Sequence, residues 1–221
     1  MSSVTSPKDR AAIGARIQHL LLRPKLEWPV IEAEQATVNS ILVPYAVLLS
    51  AIGPLAGLIG GQLFPLRIFS VVYRPSLVGS MGLAILGWGL MLLAVYLLGL
   101  IINALAPNFE GEQNRVQAMK LAVYSMTAFW LADIFSLFPG LMWVGVLVGL
   151  YSIYLLYLGL PLLMKAPQDK AFVYTMVVVI AWLILWLIGR SIIGNVINGG
   201  LLATDDLANA GLSNLHIGTI S

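Results

Sequence analysis

The chain of 221 residues is 59% hydrophobic and only 10% charged, with a formal charge of +2 and no cysteine. Soluble domains carry about 25% charged residues, so a water-facing fold cannot cover this much apolar side chain and the bilayer is its natural solvent. The small charge, with no Lys/Arg cluster interleaved with aromatics, excludes a nucleic-acid partner, and the lack of cysteine excludes disulfides, thiolate metal sites and cysteine catalysis.

Residues 1–37 read as a cytoplasmic amphipathic arm. They hold Lys8, Arg10, Arg16, Arg23 and Lys25, five of the twelve basic residues. Ser6-Pro7-Lys8-Asp9 is a helix start, with Ser6 as cap and Pro7 at the first helical position. Ile13, Ile17, Leu20 and Leu21 then share a helical face, and Pro24 ends the helix. Such a helix lies on anionic headgroups or packs on the cytoplasmic ends of the spans. Trp28 beside Pro29 suits a membrane interface. No cleavable signal peptide is expected, because the first long apolar run begins near Val38.

About 20 apolar residues cross a bilayer core, and five stretches qualify. The first, 38–63, contains Gly53, Gly57 and Gly61, a doubled small-xxx-small pattern that lets another helix approach closely. Pro44 and Pro54 predict kinks in it. A short link with Arg67 and Arg74 leads to the second span, 77–105. The third, 118–138, and the fourth, 141–164, form a tight hairpin at Pro139-Gly140. The fifth runs over 171–197. Residues 198–221 form a short outer-side tail, in which Asp205-Asp206 can cap a helix. The fold class is therefore an all-α membrane protein of five transmembrane helices plus an N-terminal interfacial amphipathic helix.

Lys/Arg bias sets orientation. With the N-terminus in the cytoplasm, nine basic residues lie inside and three outside. The C-terminus is then expected on the far side.

Asp133 is the one carboxylate inside a span and Arg190 the one cation deep in another. Ionisable groups at membrane depth are costly and often functional. At about 1.5 Å per residue, Asp133 lies about 23 Å along span three and Arg190 about 29 Å along span five, so both fall in the outer third. They are expected to pair, or to share a polar pocket with Ser136 and Asn195. The pair would serve as a proton or solute relay, or as a structural clamp. Tyr151, Tyr154 and Tyr157 share a broad helix face, for interhelical hydrogen bonds or for gripping lipid. Lys165, Lys170, Arg16, Arg23 and Trp28 are candidates for headgroup or partner contact. No GxSxG elbow, P-loop or HExxH motif is present. No catalytic, metal or cofactor site is expected.

The stretch Gly149–Ala171 carries a more specific signal. Gly149-Leu150-Tyr151, the run from Tyr154 to Pro161, Met164-Lys165 and Pro167, together with Leu21-Leu22, Pro24-Lys25, Glu27-Trp28-Pro29 and Glu32, resemble the YIP family of Ypt/Rab-interacting membrane proteins, in its bacterial branch. The resemblance implies a five-helix membrane domain with a cytosolic N-terminus. Eukaryotic relatives associate with small GTPases and with each other in vesicle traffic and membrane shaping. This chain lacks their Asp-Leu-Tyr-Gly-Pro tract and has only a short N-terminal arm. The expected function is a non-enzymatic membrane protein that organises or scaffolds membrane proteins or lipids in the bacterial inner membrane. Its partners would be lipid and other membrane proteins or further copies of itself. The alternative is a small-solute transporter or channel with a polar pocket near Asp133 and Arg190.

Overall fold

The computed structural model describes residues 7–64, 66–68, 71–73 and 77–198. Ser6, Arg74, Asp205 and Asp206 lie outside these residues, as does the tail beyond Asn198. Among the described residues, five helical stretches are long and apolar enough to cross a membrane: Val38–Leu63, Leu77–Phe109, Arg115–Leu137, Trp143–Leu163 and Gln168–Ile197.

Two helices precede them. The first, α1 (Pro7–Leu22), is followed after Arg23 by α2 (Pro24–Ala33). Pro24 ends one helix and, lacking an N–H that would need a partner, begins the next. The arm is thus a pair of helices, where the sequence suggested one.

Span one starts at a Thr37/Ser40 capping box and is broken twice. It comprises α3 (Val38–Ile41), a π-helical turn at Leu42–Ala46, α4 (Val47–Ser50) and α5 (Ile52–Leu63). Both breaks follow from proline, which removes a backbone donor and displaces the carbonyl four residues back. Pro44 sits in the π turn and Pro54 one turn into α5. The link that follows forms a small antiparallel hairpin, β1 (Leu66–Ile68) paired with β2 (Val71–Tyr73). The sequence reading had left this segment without structure.

Span two is α6 (Leu77–Leu105), extended by a 3₁₀ turn at Ala106–Phe109. Span three is α7 (Arg115–Ser125), α8 (Thr127–Ala132) and a 3₁₀ turn over Asp133–Leu137. Asn114 caps it by accepting from the backbone N–H groups of Val116 and Gln117. Span four is α9 (Met142–Gly149) and α10 (Tyr151–Leu163), and span five is the unbroken α11 (Gln168–Asn198).

Span three is the axis of the bundle. In its most apolar window 72% of residues are buried, against 22–33% in the other four. The ring pair Phe64–Phe138, 5.6 Å between centroids, puts the far end of span one beside the turn between spans three and four. At the other end the two remaining links clasp each other. The Glu112 N–H donates to Met164 O at 2.7 Å, and a Cβ on Gly111 would lie 2.7 Å from that same oxygen. Lys165 pairs with Glu112 and Lys170 with Glu110 across this clasp.

Burial is concentrated at the clasp end. Val95, Leu98 and Ile102 of α6, Ala118–Met126 of span three, Leu155, Leu160 and Met164 of span four, and Tyr174 and Val178 of α11 are all buried there. At the β-hairpin end Leu55, Ile59, Ile85, Val146, Leu183 and Leu187 are exposed. That is the surface a hydrocarbon solvent requires.

Candidate functional site

The clasp end is covered by α1 and α2, held by polar groups of which sequence reasoning singled out Arg16 and Tyr151 but not Lys120 or Gln117. Lys120 lies five residues into span three and is 1% exposed. Its ammonium donates to Ile31 O at 2.7 Å, Glu32 O at 3.3 Å and Glu34 O at 2.5 Å. Gln117 donates to Glu32 O at 2.9 Å. These are the carbonyls that the C-terminus of α2 leaves without helical partners, and a cation there also complements the helix dipole. Sequence reasoning places Lys120 inside the expected third span, 118–138, and uses it only as one of the nine cytoplasmic-side charges. Its position between Met119 and Leu121, inside an apolar helix, was the available signal.

Arg16 of α1 makes the second connection. It donates to Glu27 at 2.6 Å and to Glu34, and its guanidinium stands 5.7 Å from the Tyr124 ring. His19 Nδ1 is 3.1 Å from the other Glu27 oxygen. Burial pulls the Arg16 pKa down, but the hydrogen bond and charge of Glu34, with Tyr124 and Glu27, leave it above the ordinary arginine value. Trp28 seats on Gly159 of α10. A Cβ there would lie 2.8 Å from the indole and 2.7 Å from Leu121. The Tyr151 hydroxyl donates to Leu21 O at 3.0 Å, tying the last turn of α1 to span four.

Two of the expected headgroup contacts are therefore corrected. Arg16 is spent on Glu27 and Glu34, and Trp28 is 1% exposed, because both face the spans and not the membrane surface. Lys165 and Lys170 are exposed enough to meet headgroups but already pair with Glu112 and Glu110. The Glu112 hydrogen bond, then its charge, raises the Lys165 pKa. Arg23 is exposed and forms no ion pair with a described residue. Beside it Leu22, Leu26 and Val30 are 70%, 68% and 50% exposed, a ridge of apolar side chains four residues apart.

The tyrosine face is divided. Tyr151 is half-buried and bonded as described, whereas Tyr154 and Tyr157 are exposed. The glycine seam is shifted. Gly53 meets Asp133, whose carboxyl oxygen would be 2.6 Å from an added Cβ, and Gly60 meets the backbone of Ser136 and Leu137 at 2.8 Å. Nothing lies within 4 Å of the corresponding point at Gly57 or Gly61. The close approach is within the chain and uses positions seven apart, two full turns, because a straight helix returns to one line in that interval.

Asp133 and Arg190 both line a cleft of about 500 Å³ between spans three, four and five. The expected ion pair between them is not formed. Asp133 lies against Gly53 on the α5 side of span three, while the Arg190 guanidinium stands over the Trp186 ring at 5.4 Å. Ser136 joins the lining and donates to Asp133 O at 2.7 Å; Asn195 is not part of it. The walls are mainly apolar, with Phe129, Phe135, Ile153, Trp182 and Leu183 prominent. Among the described residues no group of three His, Asp or Glu side chains is placed to hold a metal.

Comparison with known proteins places this architecture. The family model described as Yip1 domain matches residues 19–189. The chain is 28% identical over 156 residues to the inner membrane protein YohC of Escherichia coli strain K12, covering 68% of this chain and 80% of the relative. The same figures hold for YohC of Escherichia coli O6:H1 strain CFT073. No solved structure matches.

Proposed function

The chain belongs to the Yip1 family, and from that premise we propose that it is a non-enzymatic scaffold of the bacterial inner membrane, organising other membrane proteins or lipids. The N-terminus is cytoplasmic and the C-terminus periplasmic in this reading, in line with the Lys/Arg bias and with relatives named as inner membrane proteins. The observation that carries it is the docked α1–α2 pair. Its inward face is consumed by Trp28, Arg16 and contacts to Lys120, while its outward face offers Leu22, Leu26 and Val30 beside Arg23 and Lys25. A rigidly held apolar ridge flanked by cations fits a partner or an anionic membrane surface better than it fits water.

A photoreactive residue at Leu26 in native membranes tests this. Discrete protein adducts at Leu26, either multiples of the chain or a defined second protein, and none at the buried Leu98, are expected. Equal diffuse labelling at both positions contradicts the scaffold. A small-solute transporter is the second reading, favoured by the cleft near Asp133 and Arg190. Transporter sites place several polar groups around the substrate near the midplane, and these walls are mostly hydrocarbon. Solute uptake by proteoliposomes that is lost in Asp133→Asn would decide for it.

A further inference from the structure

Val178, Trp182, Trp186 and Arg190 recur every four residues on α11, so they form one stripe along the helix. All four line the cleft. Gly145 and Gly149 also line it and bring span four close to span three: an added Cβ would lie 3.1 Å from Ala132 O and 3.4 Å from the Phe129 ring, respectively. Its volume of about 500 Å³ falls within the roughly 300–1,000 Å³ of small-ligand sites.

Both serines of the lining are engaged within the chain. Ser152 Oγ accepts from the Phe129 N–H at 2.9 Å and Ser136 donates to Asp133 O, while the Asp133 carboxyl packs against Gly53 on the α5 side and forms no ion pair with a described residue. The guanidinium of Arg190 remains. It is exposed, rests on Trp186, and forms no ion pair with a described residue. Ile184, Ile188 and Ile192 around it are exposed, so this part of α11 faces hydrocarbon. An apolar slot with a free cation at its exposed end, opening among lipid-facing residues, complements a ligand with an anionic head and a hydrocarbon tail.

We propose that the cleft is a phospholipid site, in which one acyl chain lies between spans three, four and five and the phosphate pairs with Arg190. The lipid comes from the leaflet on the β-hairpin side, because Arg190 lies toward that end of α11. A soluble anion would find the same guanidinium but nothing in the walls to hold it. This site does not depend on the scaffolding role, which uses the opposite end of the bundle.

The test is native mass spectrometry of the full chain in detergent, titrated with phosphatidylglycerol and separately with glycerol 3-phosphate. The unmodified chain should retain one phosphatidylglycerol and no glycerol phosphate. Arg190→Ala should weaken retention about tenfold, or about 1.4 kcal/mol, and Arg190→Lys should restore most of it. Leu183→Trp, at an exposed lining position, should weaken it comparably while leaving the cation in place. Equal retention in the unmodified chain and Arg190→Ala overturns the site. So does a loss in Arg190→Ala without one in Leu183→Trp, or binding of glycerol phosphate alone. Should a variant not fold, the unmodified chain decides. Phosphatidylglycerol brominated on its acyl chain should quench a saturable fraction of tryptophan emission, and quenching that never saturates overturns the proposal.

Discussion

At the clasp end of the bundle Leu98, Met119, Leu121 and Leu155 have no exposed surface, while at the β-hairpin end Ile85, Val146, Leu183 and Leu187 are at least half exposed. The residue types are the same. What differs is the cover: α1, α2 and the two clasped links enclose the first set, and lipid must enclose the second. The unbroken helices cross both regions. At about 1.5 Å per residue the 31 residues of α11 reach about 46 Å, against a hydrocarbon core of about 30 Å. The excess length is what the covered end accounts for. One end is therefore specified by close packing and paired polar groups, and the other mainly by hydropathy, with close packing where α5 meets span three at Gly53 and Gly60.

Substitutions should separate the two ends sharply. Trp28→Ala empties the seat on Gly159 and should cost about 3–5 kcal/mol, read as a lower denaturation midpoint in detergent with loss of α1–α2 protection. Lys120→Met removes the ammonium from Ile31 O and Glu34 O, leaving Gln117 on Glu32 O, and should cost about 3 kcal/mol; a loss below about 0.5 kcal/mol would mean that α2 does not depend on this cation. Gly60→Ala pushes a methyl into the Leu137 backbone and should cost about 1–3 kcal/mol, whereas Gly57→Ala, with open space beyond it, should be neutral or slightly stabilising. A matched pair of thermal melts checks that contrast. Ile184→Ala, on a lipid-facing position, should change stability least, by about 0.5 kcal/mol or less.

The five spans, the tight turn after Phe138 and the breaks near Pro44 and Pro54 were legible because hydropathy and proline act locally. Family resemblance was legible too, through residues now seen in packing: Trp28 and Gly159 touch, and Tyr151 holds α1. The covering role of the arm was not legible. Nothing local distinguishes an Arg16 that meets headgroups from one that meets Glu27 and Glu34, since the partners are 11 and 18 residues away. The role of Lys120 was not legible because its acceptors are backbone carbonyls, which leave no trace in sequence. Asp133 and Arg190 line one cleft, yet position along a helix does not fix which side of it a group faces. Gly53 receives the carboxyl and so removes it from the arginine.

Hydrogen exchange of the full chain in lipid nanodiscs tests the covered end most directly. Amides of α2 should be protected for as long as those of α7, and Lys120→Met should release α2 first. Exchange of α2 in the unmodified chain at the rate of a free peptide, with α7 still protected, would contradict the docked arm and the division of the bundle built on it.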